Sequence, residues 1–226
     1  MVRSVRREQI LAAAAPLFAR HGFHGVSVDD LGAAAGVTGP ALYRHFRAKE
    51  EILAELLIGV SERLLEGGRA RAGDSEGAAA ALDALISFHV DFALGNADVI
   101  TVQERELANL QAGARRTVRT LQLRYVTVWA DVIDAVSGCG HDVAAAAAHA
   151  AFGLMNSTPH SARLPRPDMG RLLHAMALGA IAGATGMRSG RVEVPEPAPL
   201  RRGPASRAEG RARAERARWP PPPPRP

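Results

Sequence analysis

Residues 27–46 read SVDDLGAAAGVTGPALYRHF, and this stretch decides the fold of the N-terminal part of the chain. Ser27 and Asp30 form a Ser-x-x-Asp capping pattern, which predicts the start of a short helix that runs through Ala35. Gly36 predicts the end of that helix, because glycine readily adopts the left-handed backbone found after helix C-termini. The sequence therefore predicts one short helix followed by a sharp turn.

A second short helix is predicted directly after the turn. Thr38 is a candidate N-cap, and Pro40 is tolerated in the first turn because the amides there have no partner inside the helix. We expect this helix to run to about Phe46. Two short helices joined by a tight turn at residues 35–37 are typical of a helix-turn-helix, whose second helix enters the major groove of DNA.

A longer helix precedes this pair. Its apolar residues follow the spacing of one helix face, and they are Ile10, Ala13, Ala14, Leu17 and Phe18. Ser4 is a plausible N-cap for this helix, and Gly22 is expected to stop it. The small core that fixes the angles of the three helices is predicted to contain Phe18, Leu31, Val37, Phe46 and, in part, Leu42.

Helical patterns continue from Ala48 to Thr185, and no strand pattern competes with them. The first of these helices is expected to end near Gly67 and Gly68, and the Gly/Ala/Ser-rich residues 68–77 are expected to form a connection. Further helices are predicted at about residues 78–94, 97–110, 115–136, 143–157 and 168–185. The predicted fold class is therefore all-α. Residues 188–226 are rich in Pro, Arg, Gly and Ala and are predicted to form a disordered or polyproline-type tail.

The composition is that of a soluble globular protein, with 47% apolar and 23% charged residues among 226. The single cysteine, Cys139, excludes an internal disulfide and a cysteine-based zinc site, which favours a reducing compartment and hence the cytoplasm. The longest apolar runs, at residues 143–155 and 176–187, fall short of the roughly 20 residues that a membrane span needs. We therefore expect no signal peptide and no membrane partner.

The formal net charge of +5 is unevenly distributed along the chain. Residues 1–50 carry 7 basic and 4 acidic residues, residues 51–187 carry 11 and 15, and residues 188–226 carry 10 and 4. An acidic middle thus lies between two basic ends. This asymmetry predicts that an end meets a polyanion, while the middle has another role.

Residues 7–53 resemble the TetR family of transcriptional regulators. The motifs are HGF at 21–23, VSVDDL at 26–31, GVTGPALYRHF at 36–46 and KE at 49–50. The resemblance implies an N-terminal three-helix helix-turn-helix domain that binds DNA, here residues 1–50. It also implies a C-terminal helical domain for effector binding and dimerisation, here residues 51–187, with residues 188–226 as a tail. A protein of this kind is expected to bind a palindromic DNA operator as a homodimer and to act as a repressor that a hydrophobic small molecule releases.

Ten residues are candidates for DNA contact. They are Ser27, Thr38, Gly39, Pro40, Ala41, Leu42, Tyr43, Arg44, His45 and Lys49. The short side chains of the first turn can approach base edges or thymine methyl groups, while the charge of Lys49 suits a phosphate. That turn offers no Lys, Arg, Asn or Gln for bidentate base contacts, so specificity falls more to Arg44 and to DNA shape. The alternative is that these are ordinary surface and packing residues of a helical bundle.

Seven residues are candidates for lining a mainly apolar effector pocket. They are His89, Phe92, Gln103, Tyr125, Trp129, Phe152 and Met155. The alternative for His89 is a core histidine whose hydrogen bonds are satisfied, and the alternative for the aromatic residues is ordinary core packing. Residues 98–106, and residues 121–125 together with Trp129, resemble a subgroup of such regulators. Some members of that subgroup sense acyl-CoA thioesters or other lipid-derived acids, so the resemblance makes an acyl-CoA-like effector one candidate.

The remaining polar residues do not form a recognisable catalytic or metal-binding set. Glu104 and Glu106 diverge around a helix and are expected to lie on a solvated face or in a salt bridge. The histidines lack metal-ligand spacing. We therefore expect no catalytic residue, metal or cofactor, and no enzyme activity. The competing hypotheses are a small helical enzyme or binding protein for lipid-like ligands, and an adaptor that works through the tail. The last two helices are expected to pair with a second copy, or else to complete the monomer's core.

Overall fold

The computed structural model describes residues 5–187, and this part of the chain is helical with no strand, which confirms the all-α class. Ser4, the proposed first cap, and the tail at 188–226 lie outside the described residues. The helices are α1 (Val5–His21), α2 (Val28–Ala35), α3 (Gly39–Tyr43), α4 (Lys49–Asp74), α5 (Ala78–Gly95), α6 (Ala97–Glu106), α7 (Ala112–Ser137), α8 (His141–Met155), α9 (Thr158–Ser161) and α10 (Arg166–Thr185), with a 3-10 turn at Leu107–Asn109 between α6 and α7.

Helix α2 begins and ends as its sequence predicts. The Ser27 hydroxyl accepts a hydrogen bond from the Asp30 amide at 3.1 Å, and the Asp30 carboxylate accepts one from the Ser27 amide at 2.8 Å. This reciprocal capping box lowers the pKa of the Asp30 carboxyl, mainly through the hydrogen bond from the Ser27 hydroxyl. Gly36 ends the helix at φ +65°, in the left-handed region that favours glycine.

Helix α3 is shorter than predicted, ending at Tyr43 instead of Phe46. The backbone tightens after Tyr43, where the Arg44 amide bonds to the Ala41 carbonyl three residues back at 3.3 Å. The carbonyl of His45 accepts a hydrogen bond from the guanidinium of Arg7 on α1. A tertiary contact of this kind has no signature in the local sequence, which explains the missed boundary.

Helix α4 is longer than predicted, because Gly67 and Gly68 lie inside it and do not end it. A Cβ atom on Gly68 would lie 2.5 Å from Cε2 of Tyr125, and one on Gly67 would lie 2.2 Å from Cζ of Phe88. The two glycines therefore let aromatic rings of α5 and α7 approach the α4 backbone. The predicted connection over 68–77 shrinks to the short turn before α5.

Helices α4, α5, α7, α8 and α10 form the C-terminal bundle, and α6 packs against α1. Helix α6 ends earlier than predicted, at Glu106, and the one-turn helix α9 had no prediction. By length and hydropathy α5 resembles a membrane-spanning helix, but half of the stretch is buried in the bundle, as in a core helix. The predicted boundary between residues 50 and 51 falls in the first turn of α4.

Candidate functional site

The candidate DNA-binding residues lie at the N-terminus of α2, along α3 and just after it, and at the first residue of α4. Most of them reach solvent, and 55% of the Tyr43 side chain is exposed. The exposed ones are Ser27, Thr38, Pro40, Tyr43 and Arg44, and the half-buried ones are Gly39, Ala41, His45 and Lys49. The structure thus brings nine of the ten candidates to accessible positions around two short, adjoining helices. Their contact with DNA stays a prediction.

Leu42 is the exception, because its side chain is fully buried. It lies in the core of the three N-terminal helices together with Phe18, Leu31 and Phe46. A side chain without exposed surface cannot touch a base edge, so the expectation of a Leu42 contact is wrong. Leu42 instead anchors α3 to α1 and α2, and this role follows from its position one turn before Phe46.

Lys49 is held by the protein itself. Its ammonium donates hydrogen bonds to the Phe23 carbonyl at 2.7 Å and the Val26 carbonyl at 2.6 Å, and it lies 4.5 Å from the centroid of the Phe23 ring. Two of its three N–H donors are therefore used to hold the loop between α1 and α2. This arrangement argues against the expected phosphate contact and makes Lys49 a positioning residue for α2.

Arg7 was not among the candidates, yet it links α1 to α4 and to the segment that follows α3. Its guanidinium donates to Glu55 at 2.7 Å and Glu51 at 3.0 Å on α4, binds the His45 carbonyl, and lies 4.1 Å from the centroid of the Phe46 ring. The hydrogen bond with Glu55 is the largest cause that raises the pKa of Arg7. Arg7 thus ties α1, the segment after α3, and α4 together, through partners that are about 40 residues away in sequence.

The bundle encloses a cavity of about 230 Å³ between α4, α5, α6, α7 and α8. Its wall is mainly apolar, with polar groups from the surrounding helices and from the residue that follows α8. The lining residues are Ser61, Leu64, His89, Phe92, Ile100, Gln103, Glu104, Gln122, Tyr125, Val126, His149, Phe152 and Asn156. Five of the seven residues predicted to line a pocket are therefore brought together here.

His89 is buried and has a partner at each ring nitrogen. Nδ1 lies 3.2 Å from the Tyr125 hydroxyl, and Nε2 lies 3.1 Å from Oδ1 of Asn156. The ring also stacks on Phe152, with centroids 4.8 Å apart. Burial lowers the pKa of His89 to about 4, so the imidazole is neutral at physiological pH. Of the two alternatives for His89, a core histidine whose hydrogen bonds are satisfied is therefore the better description. Its ring also faces the cavity.

Trp129 and Met155 do not line the cavity, which corrects the prediction for both. Both side chains are fully buried. The Trp129 indole packs edge-on against Phe152, with centroids 4.9 Å apart, and so supports the wall from behind. Helical spacing predicted correctly that these side chains face inward. It could not separate the layer that touches the cavity from the layer behind it.

Several lining residues were missed by the sequence analysis. Among these, Asn156 makes the clearest contact. It follows the last residue of α8 and forms a hydrogen bond with His89 across the bundle. An asparagine at a helix end is ordinarily interpreted as a cap, so its position gave no sign of this contact. The other missed residues are Ser61, Leu64, Ile100, Glu104, Gln122, Val126 and His149.

Of residues 104–106, which were expected to be solvated or to form a salt bridge, Glu106 is the one that departs from exposure. Glu104 is exposed at the cavity, but Glu106 is buried and accepts a hydrogen bond from the Asn109 amide at 2.6 Å. Asn109 in turn lies 3.1 Å from Nε2 of His24, and Arg105 donates to the Ala19 carbonyl at 3.4 Å. The end of α6 therefore contacts both α1 and the loop that follows it. Within residues 5–187, no His, Cys, Asp or Glu group forms a set that could hold a metal ion.

Helices α8 and α10 pack together, and each of them exposes small and apolar residues. Val143 is 45% exposed, Leu172 is 42% exposed and Met176 is 48% exposed. Other residues of the two helices, such as Met155, Leu173 and Ile181, are buried inside the monomer. The two hypotheses, core completion and pairing with a second copy, therefore apply to different sides of these helices. The buried side completes the monomer's core, and the exposed side is available to a second copy.

Family models match two parts of this structure. One, described as bacterial regulatory proteins of the tetR family, matches residues 10–56, which contain α2 and α3. The other, a tetracyclin repressor-like C-terminal domain, matches residues 75–160, which contribute much of the cavity wall. Together the two models cover more than half of the chain.

Individual curated proteins are also similar in sequence to this chain. The HTH-type transcriptional repressor KstR2 of Rhodococcus jostii RHA1 is 29% identical over 59% of this chain and 66% of its own length. The matched region spans less than two thirds of the length of the curated relatives that it matches.

Two solved structures share the fold. A TetR-family transcriptional regulator from Bordetella parapertussis 12822 superposes with a TM-score of 0.68 at 21% identity, over 80% of this chain and 94% of its own. The TetR-family regulator PfmR from Thermus thermophilus superposes with a TM-score of 0.65 at 25% identity, over 75% of this chain and 97% of its own.

Proposed function

The chain belongs to the TetR family of bacterial regulatory proteins, and we propose on that premise that it is a ligand-responsive repressor that binds a palindromic DNA operator as a homodimer. The observation that carries the proposal is the accessible surface of α2, α3 and the residues just after α3, next to a helical bundle that contains a mainly apolar cavity of about 230 Å³. We place the protein in the cytoplasm, where its operator would be. The relatives support a regulator over an enzyme.

The proposed DNA contacts come from the accessible candidates at α2 and α3. Tyr43 and Arg44 offer the strongest polar groups on this face, because one carries a hydroxyl and an aromatic ring and the other a guanidinium. The short residues before them allow the backbone to approach the groove closely. We assign Lys49 and Arg7 a positioning role, since both bind protein groups that orient α2 and α3.

The proposed dimer uses the exposed face of α8 and α10. A two-fold dimer places the same patch against itself and matches a palindromic site, whose half-sites lie about 34 Å apart. The small residues on this face permit close approach of the helices, and the exposed Val143, Leu172 and Met176 supply apolar surface to bury.

Two helices connect the cavity with the proposed DNA-binding unit. Helix α4 lines the cavity with Ser61 and Leu64, and its first two turns carry the carboxylates that hold Arg7. Helix α6 lines the cavity with Gln103, and its end contacts α1 through the Arg105 bond to a backbone carbonyl. A ligand that fits the cavity better in one conformation would shift both helices and so alter the separation of the two DNA-binding faces.

A titration tests this proposal. Purified full-length protein is added to DNA fragments from upstream of its own and neighbouring genes, and binding is followed by fluorescence anisotropy while the protein's mass is measured by sedimentation. We expect a dimer that binds at least one fragment at low ionic strength and loses affinity as salt rises. Absence of binding to every fragment would favour the competing hypothesis of a helical protein that acts on lipid-like molecules without DNA.

A further inference from the structure

The cavity wall contains a chain of hydrogen bonds with a defined direction. The Tyr125 hydroxyl, His89 and Asn156 are linked in series, at 3.2 Å and 3.1 Å. Because Oδ1 of Asn156 can only accept, Nε2 of His89 must carry the ring proton and donate it. The other ring nitrogen, Nδ1, is then unprotonated and accepts from the Tyr125 hydroxyl. The neutral state of the buried imidazole agrees with this assignment.

Within this series of hydrogen bonds, Asn156 is the member whose donors remain unused, and the amides of Gln103 and Gln122 also line the cavity. Among residues 5–187, no hydrogen bond is made by Nδ2 of Asn156, which lines the cavity and is half-buried. The bond to His89 holds the carboxamide in one orientation, so its two N–H donors are fixed in place. Donors arranged in series polarise one another, which strengthens the last donor of the chain. The structure therefore presents an oriented donor that an acceptor on a ligand can use.

The rest of the wall disfavours a negative charge. Among residues 5–187, no Lys or Arg lines the cavity and Glu104 is its one carboxylate, while the exposed His149 lies at its edge. The arginines Arg116 and Arg124 line a separate, open groove along α7. An anion placed beside His89 and Asn156 would lose its hydration without a lysine or arginine to pair with, and desolvation of an unpaired ion is strongly unfavourable. Apolar side chains such as Phe92, Ile100 and Phe152 instead fit an uncharged apolar body.

We propose that the cavity binds the uncharged, apolar part of a molecule that carries a hydrogen-bond acceptor such as a ketone or ester carbonyl, and that Asn156 donates to this acceptor. The inference rests on the proposed function, since it specifies the effector of the same site. His89 is a positioning residue that orients Asn156. A free carboxylic acid of the same shape is excluded at neutral pH, while a molecule with a distant charge outside the cavity is accepted.

Three probes of similar shape test the proposal: acetylnaphthalene, isopropylnaphthalene and naphthoate. The first is neutral with an acceptor, the second is neutral without one, and the third is an anion. Binding to the full-length protein is measured by calorimetry at pH 7 without DNA. We expect acetylnaphthalene to bind about tenfold more tightly than either of the others, the value of one hydrogen bond inside an apolar site. Equal binding of all three, tighter binding of naphthoate, or no binding of any probe would overturn the proposal.

Substitutions identify the donor. Asn156→Asp keeps an acceptor for His89 but removes the donors, and we expect the preference for acetylnaphthalene over isopropylnaphthalene to disappear. Gln111→Glu makes the same amide-to-acid change at an exposed position that does not line the cavity, and it is expected to retain the preference. His89→Leu should also abolish the preference for acetylnaphthalene, because Asn156 loses the group that orients it. His89→Gln should retain the preference, because glutamine can both donate and accept. A preference that persists in Asn156→Asp would contradict the assignment.

The probe experiment is independent of DNA binding. A protein that shows the expected preference but binds no upstream DNA would retain this inference and lose the repressor proposal. If the protein binds DNA but prefers naphthoate, the repressor proposal is retained and this inference is lost. If Asn156→Asp fails to fold, the three-probe comparison on the unaltered protein still decides the proposal.

Discussion

The N-terminal unit and the C-terminal bundle are held together by different kinds of interaction. In the N-terminal unit, two cations, Arg7 and Lys49, bind carboxylates and backbone carbonyls across a small apolar core. In the bundle, the cavity wall depends on stacked rings and on neutral hydrogen bonds around His89. This difference suits the proposed roles of the two regions. The hydrogen bonds and ion pairs of Arg7 and Lys49 orient the proposed DNA-binding helices, while the largely uncharged cavity wall suits an apolar ligand.

The largest expected effect concerns close packing in the bundle. Gly68→Val places a side chain against Tyr125, whose Cε2 lies only 2.5 Å from the position that a Cβ atom would take, and we expect the free energy of unfolding to fall by about 3 kcal/mol. Gly73→Val is the matched control, because nothing lies within 4 Å of its Cβ position on the same helix. Urea unfolding measures both variants. Equal stability of the two would show that the bundle tolerates a looser contact between α4 and α7.

The next effect concerns the ion pairs and hydrogen bonds of Arg7. Arg7→Ala removes the links from α1 to α4 and to the His45 carbonyl, and we expect operator affinity to fall roughly thirtyfold, or about 2 kcal/mol. Arg7→Lys should recover part of the loss, because a lysine keeps the charge but not the planar fork. Arg6→Ala controls for the loss of a nearby exposed charge. Fluorescence anisotropy measures all three variants, and an affinity for Arg7→Ala equal to that of Arg6→Ala would remove Arg7 from its positioning role.

Acid should affect the bundle through His89. Its folded-state pKa of about 4 lies below the ordinary value of 6.5, so the unfolded chain takes up a proton first as pH falls. Stability from this group is therefore complete above pH 6.5 and decreases between pH 6.5 and 4. At about pH 5 we expect a loss of about 1–2 kcal/mol that His89→Gln does not show. Urea unfolding of both proteins at neutral and at this acidic pH gives the difference, and parallel losses would contradict the buried neutral imidazole.

The smallest expected effect separates the two kinds of basic residue near DNA. Arg44→Ala should reduce the slope of log affinity against log salt by about 1, as expected for a lost phosphate contact. Lys49→Ala should weaken binding through the loop that it holds but leave the slope unchanged, since its ammonium binds carbonyls. Anisotropy titrations at several salt concentrations measure both. A reduced slope for Lys49→Ala would return that residue to the phosphate contacts.

Local signals made the N-terminal unit predictable from sequence. The capping box of Ser27 and Asp30 and the left-handed Gly36 act within a few residues, so the limits of α2 could be predicted. The errors arose from long-range contacts. Arg7 meets carboxylates 44 and 48 residues away, and it also binds the backbone stretch after Tyr43.

In the bundle, periodicity predicted which residues face inward but not what they touch. Helical spacing placed His89, Tyr125 and Trp129 on buried faces, yet only the packing of α5, α7 and α8 decides that Trp129 lies behind the wall. Gly68 illustrates the same limit, because a glycine that would end a helix locally is required here by an aromatic ring on another helix.

The central claim is that two copies of the face formed by α2 and α3 bind successive major grooves. A hydroxyl-radical footprint of the purified protein on its upstream DNA tests this claim most directly. We expect two protected half-sites about one helical turn apart, from a protein that sediments as a dimer, with protection weakened in Arg44→Ala. A monomeric protein that protects no site at low ionic strength, or a single unpaired half-site, would contradict the account.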